Sequence, residues 1–192
     1  MDESASKLLI MFASGEVAQT IASETWLSIS LKLLSVLLLV AANGFFVAAE
    51  FALVGVRKSR IEMLAAQGNK SSIRLLGLLN NLNAYISATQ LGITLSSLAL
   101  GWIGEPAVAA LVEPALMKFA ELSGLDILAS STVLHTVSFV IAFGFITFLH
   151  IVLGELAPKT VALERAEAVS YWIALPLQIF YKTFYYPIRL LD

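Results

Sequence analysis

Gly154-Glu155-Leu156-Ala157-Pro158-Lys159 follows directly on residues 132–153, a run without Asp, Glu, Lys or Arg. Proline has no backbone N–H, and its ring clashes with the carbonyl four residues back. That carbonyl belongs to Gly154, so the sequence frees a backbone oxygen beside the carboxylate of Glu155. Carbonyl and carboxylate oxygens at the end of a membrane helix are donors that a hard cation takes. Pro158 also predicts a helix break before Lys159, with a turn of the chain there. The plainer alternative is a solvated helix end at the membrane surface.

Other polar groups recur at helical spacing in apolar surroundings. Asn43 and Glu50 are seven residues apart, close to two turns, and share a face. Ser87, Gln90, Thr94 and Ser97 step by three, four and three residues along one face. Thr147 and His150 lead at helical spacing into Gly154 and Glu155. Such groups are costly in lipid, so the three polar faces are expected to point at one another. Each has a structural alternative. Serines and threonines bond their own backbone or a neighbouring helix, and Asn43 serves as interhelical glue. Glu50 pairs with a base such as Arg57, and His135 sits hydrogen-bonded near the outer surface. His150 is a poor ligand, because a hard cation wants oxygen and zinc wants more nitrogen or sulfur. Ala41, Gly44, Ala48 and Ala52 read as helix-contact positions.

The elements that must carry these groups are membrane helices. The chain has 192 residues, 58% hydrophobic and 14% charged, with mean hydropathy +0.84. A soluble domain carries roughly 25% charged residues. The fold class is therefore an all-α membrane protein with three transmembrane helices, at 33–56, 84–103 (closed by Gly104-Glu105-Pro106) and 132–153. Each is long enough for a hydrocarbon layer of about 30 Å at about 1.5 Å per residue. Residues 168–188 hold Pro176, Pro187 and Lys182 among many aromatics. They read as part of an aromatic belt over 160–190, helices bent along the cytoplasmic face and partly re-entrant, in preference to a fourth span.

Residues 57–83 carry Arg57, Lys58, Arg60, Lys70 and Arg74 against Glu62, and read as two short helices joined at Gln67-Gly68-Asn69. Residues 104–131 carry Glu105, Glu113, Glu121 and Asp126 against Lys118. The positive-inside rule then puts the helical hairpin in the cytoplasm, the N-terminus outside and the C-terminus inside. Residues 1–25 lack the basic start of a secretory signal and read as a short extracytoplasmic amphipathic segment, with the membrane domain over 26–192. A net charge of -2 says nothing about nucleic acid, but no basic, aromatic-interleaved patch appears, and no nucleic-acid partner is expected. With no cysteine, disulfides and thiolate metal sites are excluded. Isolated histidines without a nucleophile constellation argue against an enzyme.

At this point the chain resembles the transmembrane domain of the CorC/CNNM family, the bacterial CorC-like and hemolysin-C-related proteins and the animal cyclin M proteins. The resemblance rests on Asn43-Gly44-Phe45-Phe46-Val47-Ala48-Ala49-Glu50-Phe51-Ala52-Leu53 and Val56-Arg57-Lys58-Ser59-Arg60. It continues through Gln90-Leu91-Gly92-Ile93-Thr94-Leu95-Ser96-Ser97, Gly101-Trp102-Ile103-Gly104-Glu105-Pro106 and Gly154-Glu155-Leu156-Ala157-Pro158-Lys159. It implies three transmembrane helices, a helical belt at the cytoplasmic face, a homodimer in the bacterial cytoplasmic membrane, and Mg²⁺ export driven by inward Na⁺. Relatives continue into a paired CBS module that binds ATP–Mg²⁺ and then a small C-terminal domain, so the chain reads as a truncated form.

By position, the resemblance makes Glu155, the Gly154 carbonyl, Asn43, Thr94 and Ser97 the Mg²⁺ ligands. Asn43 stands where many relatives have serine, and Thr94 and Ser97 where many have asparagine. Glu155 supplies charge and the others neutral donors. One carboxylate leaves the occupied site at +1, weak enough for release. Glu50 binds the coupling Na⁺ or compensates charge, with Gln90 and Ser87 near it, and the helices rock about the Pro158 break. Two rivals stand beside this: a polyamine or other organic-cation exporter with Glu50 and Glu155 as anionic ends, and a non-transporting membrane scaffold or sensor of divalent cations. One tension remains in the count. Glu155 falls near the cytoplasmic edge of its span and Asn43 near the midplane, which helix tilt or a later start to the third span would reconcile.

Overall fold

The computed structural model describes residues 16–124 and 131–191, and all regular structure among them is helical. In chain order the elements are α1 (Glu16–Gly55), α2 (Lys58–Ala66), α3 (Lys70–Leu79), α4 (Leu82–Ser123) and α5 (Ser131–Leu149). A π-helical turn (His150–Leu156) follows, then α6 (Ala157–Glu164), α7 (Ala166–Thr183) and α8 (Tyr185–Leu191). Three stretches are long and apolar enough to cross a membrane: Leu27–Gly55, Leu82–Ser123 and Thr132–Glu164. Residues 168–188 add no fourth such stretch among the described residues. Large apolar side chains such as Leu34, Leu38, Trp102, Phe143 and Phe148 stand exposed on all three. Surfaces of that kind are a liability in water and the expected outer wall in lipid.

The helices run further than their sequence bounds. Residues 16–25, expected as a separate segment, are the first turns of α1, while residues 1–15 lie outside the described residues. The second span does not close at Gly104-Glu105-Pro106, because α4 continues through Pro106 and Pro114 to Ser123. An interior proline costs roughly 3 kcal/mol. Here Ala107, Val108 and Ala109 are buried with Val36 and Val40 of α1, Leu100 of α4, and Ala142 and Ile146 of α5. Close van der Waals packing of that cluster, which is what holds apolar helices together in lipid, keeps the helix continuous through Pro106. The helix ends at Gly124, whose left-handed φ of 69° lets its N–H donate to the Ala120 carbonyl.

The α2–α3 hairpin turns where the sequence places it. Gly68 has φ 85°, and the Asn69 side chain accepts from Ser72 N at 3.0 Å to start α3. Its apolar face, Ile61, Leu75, Leu78 and Leu79, packs with Phe46, Ala49 and Leu53 of α1 and with Ile173, Ala174 and Leu177 of α7. Polar ties reinforce the same junction: Ser72 Oγ lies 2.8 Å from Tyr171 Oη, and Arg60 Nε 3.0 Å from Glu167 Oε2. Ser170 Oγ donates to the Ala52 carbonyl at 3.1 Å. The basic hairpin and the aromatic belt thus grip the end of α1, one helical turn past Glu50.

Candidate cation site

Proline at 158 acts, but not as a turn. The break expected before Lys159 does not occur: the chain stays helical to Glu164 and bends only at Arg165, with φ −127° and ψ 42°. The disturbance is taken up on the N-terminal side, where His150–Leu156 adopt the wider π register. There the Ala157 N–H reaches back five residues to the Val152 carbonyl. The α register restarts at Ala157, so Pro158 falls in a first turn, where a missing donor is harmless.

The wider register decides which side chains face inward. At about 100° per residue an α-helix would set His150 and Glu155 about 140° apart. In the π register a residue five positions on lies roughly one turn above, so both face the same way. Gly44 completes the arrangement. A Cβ there would meet Pro158 Cγ at 2.9 Å and the Leu153 carbonyl oxygen at 3.3 Å, so only glycine lets α1 come this close.

At that contact Asn43, 1% exposed, donates through Nδ2 to the Gly154 carbonyl at 2.9 Å. The oxygen freed by proline is therefore taken by a side chain of another helix. Ser97 Oγ donates to Asn43 Oδ1 at 3.1 Å and also lies 3.3 Å from His150 Nε2. Three crossing segments meet in this chain of contacts. Beside it opens a cavity of about 170 Å³ lined by Asn43, Val47, Glu50, Phe51, Ile93, Ser97, His150 and Glu155. Asn43 and Glu50 share the face their spacing predicts, and Glu155 lines the cavity although the residue is exposed.

Neither carboxylate makes an ion pair among the described residues, so the structural alternative for Glu50, a pair with Arg57, is not formed. Lys159 instead sits over the Phe51 ring, 4.5 Å from its centroid. No group of three or more His, Cys, Asp or Glu is placed to hold a metal among the described residues. What the cavity offers is two carboxylates with amide and hydroxyl oxygens, a set that suits oxygen-seeking cations.

The α4 stripe divides. Only Ser97 reaches the cavity; Thr94 is exposed, with its hydroxyl donating to the Gln90 carbonyl at 2.9 Å. Gln90 is exposed and Ser87 half-buried, and neither lines the cavity; nor does Thr147. The wall α4 presents is formed by Ile93 and Ser97, and Thr94 projects about 100° round the helix from Ile93. His150, set aside from the sequence as a poor ligand, lines the cavity and touches Ser97. Its four-residue spacing from Gly154 was the available signal. His135 pairs with Glu113 at 3.2 Å on an exposed surface far along the chain from this site. The tension in the count is met by contact: Asn43 is hydrogen-bonded to Gly154 and lines one cavity with Glu155, so the two residues lie at one level of the bundle.

The sequence matches the family described as the cyclin M transmembrane N-terminal domain over residues 33–192. It is 50% identical over 143 residues to UPF0053 protein YhdT of Bacillus subtilis strain 168, covering 74% of this chain and 29% of that protein. Against UPF0053 protein YugS of the same organism, identity is 43% over 162 residues, covering 84% of this chain and 36% of the relative. UPF0053 protein YhdP, also from that organism, is 45% identical over 151 residues, with 79% and 32% covered. The chain spans about a third of the length of these relatives.

Proposed function

The chain belongs to the cyclin M transmembrane-domain family, and from that premise we propose that it moves Mg²⁺ outward across the bacterial cytoplasmic membrane in exchange for inward Na⁺. The observation that carries this reading is the meeting of Asn43, Ser97 and the Gly154 carbonyl beside a cavity walled by Glu50 and Glu155. Mg²⁺ gives up water reluctantly and normally keeps several molecules. A cavity of about 170 Å³ has room for an ion that keeps part of its shell while protein oxygens replace the rest. Both carboxylates, when ionised, balance a divalent charge, which lowers the cost of holding it in a membrane. Glu155 and Asn43 supply direct ligands together with Ser97, and the Gly154 carbonyl, one lone pair of which accepts from Asn43, has a second lone pair to offer the ion. Thr94 joins them only if α4 rotates. Glu50 takes the coupling Na⁺ or compensates charge.

The π turn is the flexible element about which access alternates. Homodimer formation, a cytoplasmic C-terminus and control by ATP–Mg²⁺ through a CBS pair in longer relatives complete the proposal. Glu155→Gln keeps the side-chain shape and removes the charge. It is expected to abolish Mg²⁺-dependent protection of the purified protein against heat while leaving the metal-free melting temperature near wild type. Unchanged protection would remove Glu155 from the ligand set.

A second reading has one observation of its own: two carboxylates and the Phe51 ring wall a single cavity, which also suits a short diamine. Putrescine that displaces Mg²⁺ and is itself carried into liposomes would favour it. Liposomes with neither flux under any Na⁺ gradient would leave the domain a scaffold or sensor.

A further inference from the structure

We propose that His150 is a positioning residue of this site: its Nε2 accepts the Ser97 hydroxyl hydrogen when a cation arrives, which turns the oxygens of Ser97 and Asn43 toward the ion. The inference rests on the cation-site reading above.

Its basis is a contest for one hydrogen. Ser97 Oγ lies 3.1 Å from Asn43 Oδ1 and 3.3 Å from His150 Nε2. A serine hydroxyl has a single hydrogen, so it serves one acceptor at a time. Asn43 cannot settle the contest by flipping, because the Gly154 carbonyl opposite it only accepts and so requires the amide nitrogen at 2.9 Å. That fixes Oδ1 toward Ser97 and the cavity. While Ser97 donates to Oδ1, one of the two lone pairs of the amide oxygen is taken and the hydroxyl hydrogen lies between the two oxygens. Once Ser97 donates to His150, Oδ1 is released and the Ser97 lone pairs face the cavity.

A cation makes the second arrangement necessary. Positive charge close to a hydroxyl oxygen repels its hydrogen, which then needs an acceptor on the far side. His150 Nε2 is the acceptor at hand, in the tautomer that carries the ring hydrogen on Nδ1. The ring is held for this task. Its Cδ2 lies 3.0 Å from where a Gly154 Cβ would be, so the glycine admits the imidazole edge. The π turn sets it on the same side as Glu155.

The test is a double-mutant cycle on the purified protein, read as the Mg²⁺ concentration giving half-maximal protection against heat. His150→Phe keeps a flat ring against Gly154 but removes the acceptor, and is expected to raise that concentration about 5–10-fold, one hydrogen bond's worth. His150→Gln, which offers an acceptor oxygen, is expected to recover most of the loss. In a Ser97→Ala background His150→Phe should add nothing, because no hydroxyl is left to position. Should the phenylalanine variant fail to fold, His150→Leu replaces it in the same cycle. Glu155→Gln separates the two levels of the argument. No effect of Glu155→Gln ends the cation-site reading and this inference with it. Loss of protection in Glu155→Gln, with wild-type protection in His150→Phe or an equal penalty with and without the Ser97 hydroxyl, overturns the role of His150 alone.

Discussion

A methyl group on residue 44 would press on the Pro158 ring at 2.9 Å and on the Leu153 carbonyl at 3.3 Å. Neither neighbour is the loose end of a flexible side chain, so the helices themselves must part. The Asn43–Gly154 hydrogen bond, one residue away, depends on the same approach. Gly44→Ala is therefore expected to cost about 1–3 kcal/mol of stability, the usual range for overpacking. It should also weaken Mg²⁺ protection disproportionately, because the strain falls on the bond that orients Asn43. The neighbouring Ala41 is exposed, and Ala41→Ser serves as the control, with melting temperature and Mg²⁺ response near wild type. Equal behaviour of the two variants would mean that the close approach does not position the site.

Among elements, the π turn governs what the site contains. Restoring the N–H at 158 lets Gly154 regain an α-helical partner, which rewinds the turn and swings Glu155 away from the cavity. Pro158→Ala is thus expected to leave the metal-free protein at least as stable, while the Mg²⁺ needed for half-maximal heat protection rises at least about tenfold, an amount that one charged ligand readily accounts for. Full Mg²⁺ affinity in this variant would show that the π register is not what presents Glu155. The same turn marks the limit of what the sequence discloses. Pro158 announces a disturbed helix, but helical-wheel reasoning assumes 3.6 residues per turn and cannot show the disturbance spreading backward through seven residues. That is why His150 escaped notice as a partner of Ser97. A stripe at three- and four-residue steps is likewise too broad to fix a helix's rotation. On α4 it is tertiary contact that chooses Ser97 over Thr94: Ser97 meets Asn43 of α1 at 3.1 Å, whereas the Thr94 hydroxyl bonds its own helix at the Gln90 carbonyl. What needed only local chemistry, the Asn43–Glu50 face and the glycine turn at Gly68, was legible.

For the whole molecule, charge and length together make the proposed orientation testable. Arg57 leads into the α2–α3 hairpin, which carries Lys58, Arg60, Lys70 and Arg74, and packing holds it against the end of α1 and the middle of α7. The far half of α4 carries Glu105, Glu113 and Glu121. With 42 residues, α4 is about 63 Å long, roughly twice the hydrocarbon thickness, so its far end must stand clear of the membrane or tilt strongly within it. Basic segments are retained on the cytoplasmic side during insertion. The proposed orientation therefore has the hairpin inside and the end of α4 outside. The absence of cysteine makes this directly measurable. Ser71, on α3, and Ser123, at the end of α4, are both exposed and can each be replaced singly by cysteine. In intact bacterial cells a membrane-impermeant maleimide is expected to label Ser123→Cys, and to label Ser71→Cys only after permeabilisation. The opposite pattern would invert the protein and with it the direction in which the Glu50–Glu155 cavity opens. Labelling of both in intact cells would mean that α4 does not separate two compartments, which the three-span architecture requires.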